Sequence, residues 1–348
     1  MLVALIIALL FGGYAAPPEP AEGEQLPVPV LMYHKIDVHG GGRYNVSPSK
    51  FRKQLEELRR ADYYLINISD LVEGRLDQVP AGKHPVVLTF DDSDDSHLRF
   101  LHNGRLDPNC AAGVLERFCE KHPDFGHGAA FFCLAGGERA SFFNDYLRWE
   151  EKLVWLLDHG YEIGNHTTTH PDLSKLTPEE IVWEIGTCQR LLEQAIGELE
   201  GYLRGLCYPY GAIPLTTEQY AACHSGELDG FRYEMDYAVA AWGGLCPSPE
   251  LPEFGGLRYR IPRIEIHEDR GNGGFDVRWL TRFARTYTSN GTSWESPRTL
   301  LLDWWRRLWS ATGHRGFGGS WLTDSLAKPV EGFHRPLKQL PPPPARFR

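Results

Sequence analysis

Short apolar runs alternate with amphipathic helical stretches along most of this chain, and that rhythm limits the folds open to it. Runs rich in Val, Ile, Phe and Tyr predict buried strands at 28–33, 64–68, 86–90, 129–134, 161–164, 206–209, 237–241 and 260–267. Helices are predicted after the capping residue Ser47, at 113–121, at 147–159 and from Thr177 to about Ile196. Repeated strand–helix units favour an α/β fold with parallel strands and right-handed crossovers. With about seven or eight strands, we expect a distorted (β/α) barrel rather than an open sheet.

Side chains capable of chemistry follow two of these predicted strands. Asp91 and Asp92 come directly after the strand that ends at Phe90, and His166 and His170 follow a later strand. Neighbouring strand residues point to opposite faces, so the two Asp can share a site only where the strand ends. One carboxylate and two imidazoles suit a divalent metal, and three protein ligands with an open position are typical of a catalytic site. Taken alone, each motif also has a plainer interpretation, as an acidic turn or as ordinary histidines.

Four motifs occur in order: Thr-Phe-Asp-Asp at 89–92, His-Thr-Thr-Thr-His at 166–170, Cys-Tyr-Pro-Tyr-Gly at 207–211 and Ile-Glu-Ile-His at 264–267. This series resembles the motifs of the polysaccharide deacetylases of the NodB-homology type. The third motif looks like a variant of that family's Arg-Pro-Pro-Tyr-Gly. The opening at 29–36, Pro-Val-Leu-Met-Tyr-His-Lys-Ile, is similar to the branch that acts on poly-N-acetylglucosamine and related cell-surface glycans.

The resemblance implies a role for each matching residue. Asp92, His166 and His170 would bind the metal, with zinc expected first and nickel or cobalt as alternatives. Asp91 would be the general base that takes a proton from the attacking water, and His267 the general acid that protonates the leaving amine. These roles agree with elementary chemistry, because an amine leaves poorly unless it is protonated and an imidazole titrates near neutral pH.

Two further residues complete the implied catalytic set. Tyr210 would give its backbone N–H to the oxyanion, where a donor stabilises charge that exists only in the tetrahedral intermediate. The family's third motif ordinarily carries an Arg that tethers the base, but Cys207 stands at that position. Arg263 lies four residues before His267, on the same strand face. Our hypothesis is that Arg263 reaches Asp91 instead.

The expected function is therefore a metal-dependent hydrolase that removes N-acetyl groups from a cell-surface or extracellular polysaccharide of the N-acetylglucosamine type. An O-acetyl esterase acting on a glycan would use the same metal site. A catalytically inactive glycan-binding barrel is a third interpretation, and the missing Arg at position 207 is its best support. In each case the expected partner is an acetylated polysaccharide.

The two ends of the chain differ from the deacetylase domain expected at 28–270. Residues 1–16 are apolar and then small, which indicates a signal peptide or a membrane anchor and a secreted or envelope location. Residues 17–27 are rich in Pro and Glu and predict a linker. The strand–helix rhythm stops near 270. Residues 271–348 are basic, carry most of the ten Trp, and are expected to form an extension with disorder as one outcome.

Composition and missing motifs argue against several other classes of protein. The net charge of −10 disfavours nucleic acid as a partner. The chain has neither a Gly-rich phosphate loop nor a Gly-x-Ser-x-Gly elbow, so a nucleotide-binding or serine-hydrolase function lacks its residues. The seven Cys include no Cys-x-x-Cys pair, and we expect mostly buried thiols with one or two bridges after export.

Overall fold

A computed structural model of the chain describes residues 27–38, 42, 44–136, 142–197, 202, 204–250, 252–267, 277 and 280. Its strands are β1 (Val30–Tyr33), β2 (Lys35–Ile36), β3 (Asn45–Val46), β4 (Tyr63–Leu65), β5 (His84–Phe90), β6 (Ala130–Cys133), β7 (Glu162–Asn165), β8 (Gly205–Cys207), β9 (Ser225–Leu228), β10 (Phe231–Glu234), β11 (Tyr237–Gly243) and β12 (Ile261–Glu265). Its helices are α1 (Pro48–Arg59), α2 (Ile68–Glu73), α3 (Ala111–Lys121), α4 (Trp149–Asp158), α5 (Pro178–Ile196), α6 (Thr217–His224) and α7 (Pro252–Gly255).

Seven parallel strands close into a barrel in the order β1-β12-β11-β8-β7-β6-β5. Closure depends on β1, because Leu31 pairs with Ile264 of β12 on one side and with Leu88 of β5 on the other. Strand β4 extends the sheet alongside the first half of β5, where Leu65 pairs with Val86. The predicted distorted (β/α) barrel is therefore confirmed.

Alternate strand residues separate the inside of the barrel from its helical coat. Val30, Val87, Phe132, Val239 and Ile261 come from five different strands and pack in one buried cluster, which fills the barrel. The intervening residues pack in other clusters together with helical side chains. Residues two and four positions after Val87 share its face. The side chains of Thr89 and Asp91 therefore point into the barrel, beyond the apolar cluster that fills it.

The structure corrects one predicted boundary and adds elements that the periodicity did not predict. Ile68 is not the end of a strand but the first residue of α2. Asn67 caps this helix, and the Asp70 side chain accepts from the Asn67 backbone N–H at 3.1 Å, so the cap overrides the apolar run. Helix α6 and the β9–β10 hairpin lie between β8 and β11. The hairpin turn is Asp229-Gly230, and both residues have positive φ, as a type I′ turn requires.

Predictions about the termini fall largely outside the described residues. The leader or anchor at 1–16 and most of the extension at 271–348 are not described. Val277 and Leu280 are helical and buried, and the Tyr63 hydroxyl donates to the Leu280 carbonyl at 3.4 Å. The beginning of the extension therefore packs on the barrel next to β4.

Two further observations concern the described residues as a whole. All seven Cys are buried and unpaired, which confirms the expected buried thiols and gives none of the one or two bridges that were expected with them. Among the helices that the structure describes, none combines the length and the apolar character needed to cross a bilayer.

Candidate active site

Asp92, His166 and His170 come together at the carboxyl ends of β5 and β7. Nε2 of His166 lies 3.3 Å from Oδ1 of Asp92, and Nε2 of His170 lies 3.5 Å from the same oxygen. The imidazole rings meet edge to face, with centroids 4.8 Å apart. The three ligand atoms all lie within 4.8 Å of one another. One carboxylate oxygen and two imidazole nitrogens thus face a common position, which fits the donor set of a divalent metal.

Local backbone geometry explains how these side chains can converge. Asp92 has φ of 78° and Ser93 has φ of 42°, so the chain turns sharply as β5 ends. The turn lets Asp91 and Asp92 face one site, although successive residues of a continuing strand could not. Nδ1 of His166 lies 2.9 Å from the Cys207 carbonyl. With its Nδ1 proton donated to that carbonyl, His166 can present the lone pair of Nε2 to a metal bound beside Asp92.

The charges around the triad also favour a cation. Burial alone would lower the pKa of His166, but the adjacent Cys207 thiol and the carboxylates of Asp92 and Asp91 raise it well above its ordinary value. Burial, followed by the nearby His166, lowers the pKa of His170. The negative field that keeps a proton on His166 would equally attract a divalent metal. The metal and that proton compete, so metal binding should strengthen as pH rises.

Asp91 forms a buried ion pair with Arg263. Nη1 of Arg263 donates to Oδ1 of Asp91 and Nη2 donates to Oδ2, both at 2.7 Å. The guanidinium also donates to Thr89 Oγ1 at 2.9 Å and to the Ala240 carbonyl at 2.6 Å. The side chains of Arg263 and Asp91 are 0% and 3% exposed. The structure therefore places Arg263 against Asp91, as our hypothesis required, and nearly every polar atom of the pair has a partner.

Cys207 packs against this ion pair and contacts both of its members. Its Sγ accepts from Arg263 Nη2 at 3.1 Å and donates to Asp91 Oδ2 at 3.4 Å. Asp91, His166 and Cys207 also have ligand atoms within 4.8 Å of one another, but the guanidinium already occupies both Asp91 oxygens. Burial raises the pKa of the Cys207 thiol, which disfavours the thiolate that a metal needs. Of the two groups, Asp92, His166 and His170 therefore fit a divalent metal better.

The environment of Asp91 favours its charged form. Burial alone would raise the pKa of Asp91, but the Arg263 guanidinium outweighs burial and holds that pKa well below its usual range. Asp91 is thus an ionised carboxylate, fixed in orientation, one residue from the metal triad. An ionised carboxylate in this position can accept a proton from a water held beside Asp92.

His267 lies just beyond β12 and is buried, with Nε2 3.3 Å from Oε1 of Glu265. Gln54 Nε2 donates to the His267 carbonyl at 3.5 Å. Arg263, Glu265 and His267 are alternate residues and so share one face of the strand. Sequence reasoning missed Glu265, although its position two residues before His267 was a readable signal. The structure places His267 at the same end of the barrel as Asp91, with an acidic neighbour that can orient its ring.

An exposed aromatic side chain packs against the triad, and a second one lies against the residue that follows it. The ring of Tyr210, 68% exposed, meets the His170 ring with centroids 4.6 Å apart. Tyr210 has φ of 59°, so the chain turns here after β8. Trp242 is also exposed and lies close against Gly211. Exposed aromatic rings beside a polar centre can stack on the faces of sugar rings.

A further histidine was not singled out from the sequence. His34 follows β1 and interacts electrostatically with Asp91 and Asp92, while burial lowers its pKa. Its ring meets the exposed Tyr44 ring with centroids 4.7 Å apart. A histidine directly after a barrel strand was the available signal, by the same argument that selected His166.

Comparison with known proteins agrees with this geometry. Residues 78–225 match the family model described as polysaccharide deacetylase. This region belongs to the polysaccharide deacetylase family. The match includes Asp91, Asp92, His166 and His170. A polysaccharide deacetylase relative, the chitooligosaccharide deacetylase of Bradyrhizobium sp. (strain ANU 289), is 29% identical over 133 residues, which is 38% of this chain and 48% of that protein.

Two solved structures share the barrel. The Streptococcus pyogenes deacetylase PplD, solved in complex with acetate, aligns with a TM-score of 0.53 at 19% identity, covering 74% of this chain and 98% of that one. IcaB from Ammonifex degensii aligns with a TM-score of 0.51 at 17% identity, covering 75% and 98%. These two likenesses concern the fold. The chain spans from 20% to 48% of the length of the curated relatives that it matches.

Proposed function

We propose that this protein is a metal-dependent hydrolase that removes N-acetyl groups from an N-acetylglucosamine-type polysaccharide outside the cytoplasm. The observation that carries the proposal is the convergence of Asp92, His166 and His170 beside an Asp91 carboxylate held by Arg263. The family match and the chitooligosaccharide deacetylase relative support the substrate class. The apolar leader at 1–16 supports export or attachment to a membrane.

Asp92, His166 and His170 would hold the metal, with zinc as the first candidate. A divalent metal bound there would lower the pKa of a water and polarise the amide carbonyl of the substrate. Asp91 accepts the proton of the attacking water, since Arg263 keeps its carboxylate ionised and correctly oriented. The backbone N–H of Tyr210 donates to the oxyanion as the tetrahedral intermediate forms.

His267 delivers a proton to the departing amine. Oε1 of Glu265 lies 3.3 Å from Nε2 of His267, and this contact orients the ring. Glu265 is therefore the residue that we assign to support the acid. The exposed rings of Tyr210 and Trp242 would stack on neighbouring sugar units and so favour a polymer over a single sugar.

The first test measures metal content and acetate release in the same preparation. We expect the purified protein to contain or take up one divalent ion per chain and to release acetate from N-acetylglucosamine oligomers. Chelation should abolish release, and zinc or cobalt should restore it. Release from O-acetylated xylan alone would favour the esterase, while oligomer binding without any acetate release would favour an inactive glycan-binding barrel.

His267→Ala should separate amide from ester hydrolysis. An amide needs a protonated leaving group, whereas an activated aryl ester does not. We therefore expect about a 10²–10⁴-fold loss on the N-acetyl substrate and a much smaller loss on 4-nitrophenyl acetate, with metal content unchanged. Equal losses on the two substrates would contradict the assignment of His267 as the acid. His159→Ala, on the exposed end of α4, is the matched control and should alter neither rate.

A further inference from the structure

Glu184, a buried residue of helix α5, makes hydrogen bonds to the loop between the two proposed metal-binding histidines. Glu184 is 3% exposed. Its Oε2 accepts from the backbone N–H of Thr168 at 3.0 Å and from that of Thr169 at 2.8 Å. Its Oε1 accepts from the Thr169 hydroxyl. The Thr168 hydroxyl in turn donates to the Glu184 carbonyl at 2.7 Å. Four hydrogen bonds thus join a single helical residue to this loop.

The loop adopts a conformation that its sequence does not favour. Thr167 has φ of 69° and His170 has φ of 60°. Positive φ is uncommon for any residue other than Gly and is a genuine outlier for a β-branched one. Such a backbone persists only when surrounding contacts hold it. These two turns allow His166 and His170 to approach Asp92 from a loop of only five residues.

A second contact with the same helix fixes the beginning of the loop. Asn165 donates through Nδ2 to the Ile185 carbonyl at 3.0 Å, and its Oδ1 accepts from the Thr167 backbone N–H at 2.8 Å. Ile185 follows Glu184, so α5 supports the loop at both of these adjacent positions. The helix itself begins with a capping box formed by Thr177 and Glu180.

We infer that Glu184 is a positioning residue that holds the 166–170 loop in the shape that presents both imidazoles to one metal ion. A carboxylate suits this place, because the three groups that it contacts, two backbone N–H groups and a hydroxyl, are all donors. A Gln would direct its own NH₂ toward one of those donors, and an Ala would leave the two backbone N–H groups buried and unpaired. The inference rests on the proposed metal site.

The test compares Glu184→Gln and Glu184→Ala with the wild type by titrating metal-free protein with Co²⁺. Residues that orient metal ligands typically contribute about 10–100-fold to affinity. We expect that loss in Glu184→Ala, a smaller but measurable loss in Glu184→Gln, and a changed visible absorption of the bound cobalt. Unchanged affinity together with an unchanged spectrum would overturn the inference.

The matched control is Glu180→Ala, one turn earlier on α5. Glu180 is also buried, and it accepts from the Thr177 backbone N–H at 2.9 Å. Its loss should lower the melting temperature without changing cobalt affinity or spectrum. If Glu180→Ala weakens cobalt binding as much as Glu184→Ala does, Glu184 acts only through overall stability and the inference fails.

Hydrogen exchange of metal-free protein gives a readout independent of metal. The amides of Thr168 and Thr169 should exchange faster in both Glu184 variants, whereas the core of α5 should stay protected. If the wild-type protein binds no cobalt, both the proposed function and this inference fail. If the wild-type protein binds cobalt and the Glu184 variants bind it equally well, only the inference fails.

Discussion

Asp91→Asn is expected to lower acetate release by about 10²–10⁴-fold, the usual contribution of a general base, while metal remains bound. The proposed metal ligands are Asp92, His166 and His170, whereas Asp91 pairs with Arg263. An amide in place of the carboxylate cannot accept the proton of the attacking water. Metal content by mass spectrometry and acetate release by an enzymatic assay would be measured on the same folded sample.

Asp92→Asn is the matched comparison, since it makes the same chemical change one residue along the chain. A neutral amide oxygen is a poorer ligand than a carboxylate, so this variant should lose metal together with activity. Equal metal loss in the two variants would refute the division of roles. Because Asp91→Asn also weakens a buried ion pair, circular dichroism at the assay temperature must show that each variant is folded.

Arg263→Ala should destabilise the fold by about 3–5 kcal/mol, the usual cost of removing one partner from a buried ion pair. The substitution leaves the Asp91 carboxylate buried without its cation and removes the donor to the Ala240 carbonyl. Total stability is typically about 5–15 kcal/mol, so the loss should be large. Urea unfolding of metal-free protein, with chelator present, would measure it.

The pH dependence of this loss has a definite sign. In the wild type the pKa of Asp91 is lowered, so the pair contributes stability that is fully present above about pH 4, the unfolded value, and is lost below it. In Arg263→Ala, the unpaired buried carboxyl should have a raised pKa. Lowering the pH from about 8 toward 5 should then protonate this carboxyl. The difference in free energy of unfolding between the variant and the wild type should therefore become smaller. A difference that becomes larger would contradict this account.

Arg204→Ala provides the control for that experiment. Arg204 pairs with Glu193 at 2.6 Å, but the arginine side chain is 39% exposed. Exposed pairs typically contribute about 0–1 kcal/mol. We expect a small loss for this variant, constant over the same pH range. If Arg204→Ala lowers the free energy of unfolding as much as Arg263→Ala does, burial does not explain the larger effect expected for the Asp91 pair.

Much of the barrel was predictable because its strands are buried on both faces. The run 129–134 is apolar throughout and the run 86–90 is apolar except for Thr89, and parallel strands inside a helical coat have this composition. The connections were predicted less well, because local hydrogen bonds decide them. The cap at Asn67 turned a predicted strand end into α2. The Asp229-Gly230 turn was readable from its dipeptide, but the flanking strands β9 and β10 alternate only weakly.

The candidate site also contains some residues that the sequence predicts and one that it does not. The spacing of Asp92, His166 and His170 was sufficient to predict that they converge, because all three follow barrel strands. The contact of Arg263 with Asp91 followed from strand parity once a cation was sought for the carboxylate. Glu184 could not have been predicted from periodicity. It lies among the buried residues of an amphipathic helix, and its partners are backbone groups of a loop whose shape no local pattern indicates.

The order in which the barrel closes has a consequence for how the protein is made. Arg263 and Asp91 are separated by 172 residues, and Arg263 belongs to β12, the strand that joins β11 to β1. A chain emerging from the ribosome therefore completes β5 long before the cation for Asp91 is available, and until then it has an open sheet with unpaired edges. The proposed base gains its charge partner in the same event that seals the barrel. A nascent chain that stops short of Ile261 would consequently be both inactive and exposed to aggregation.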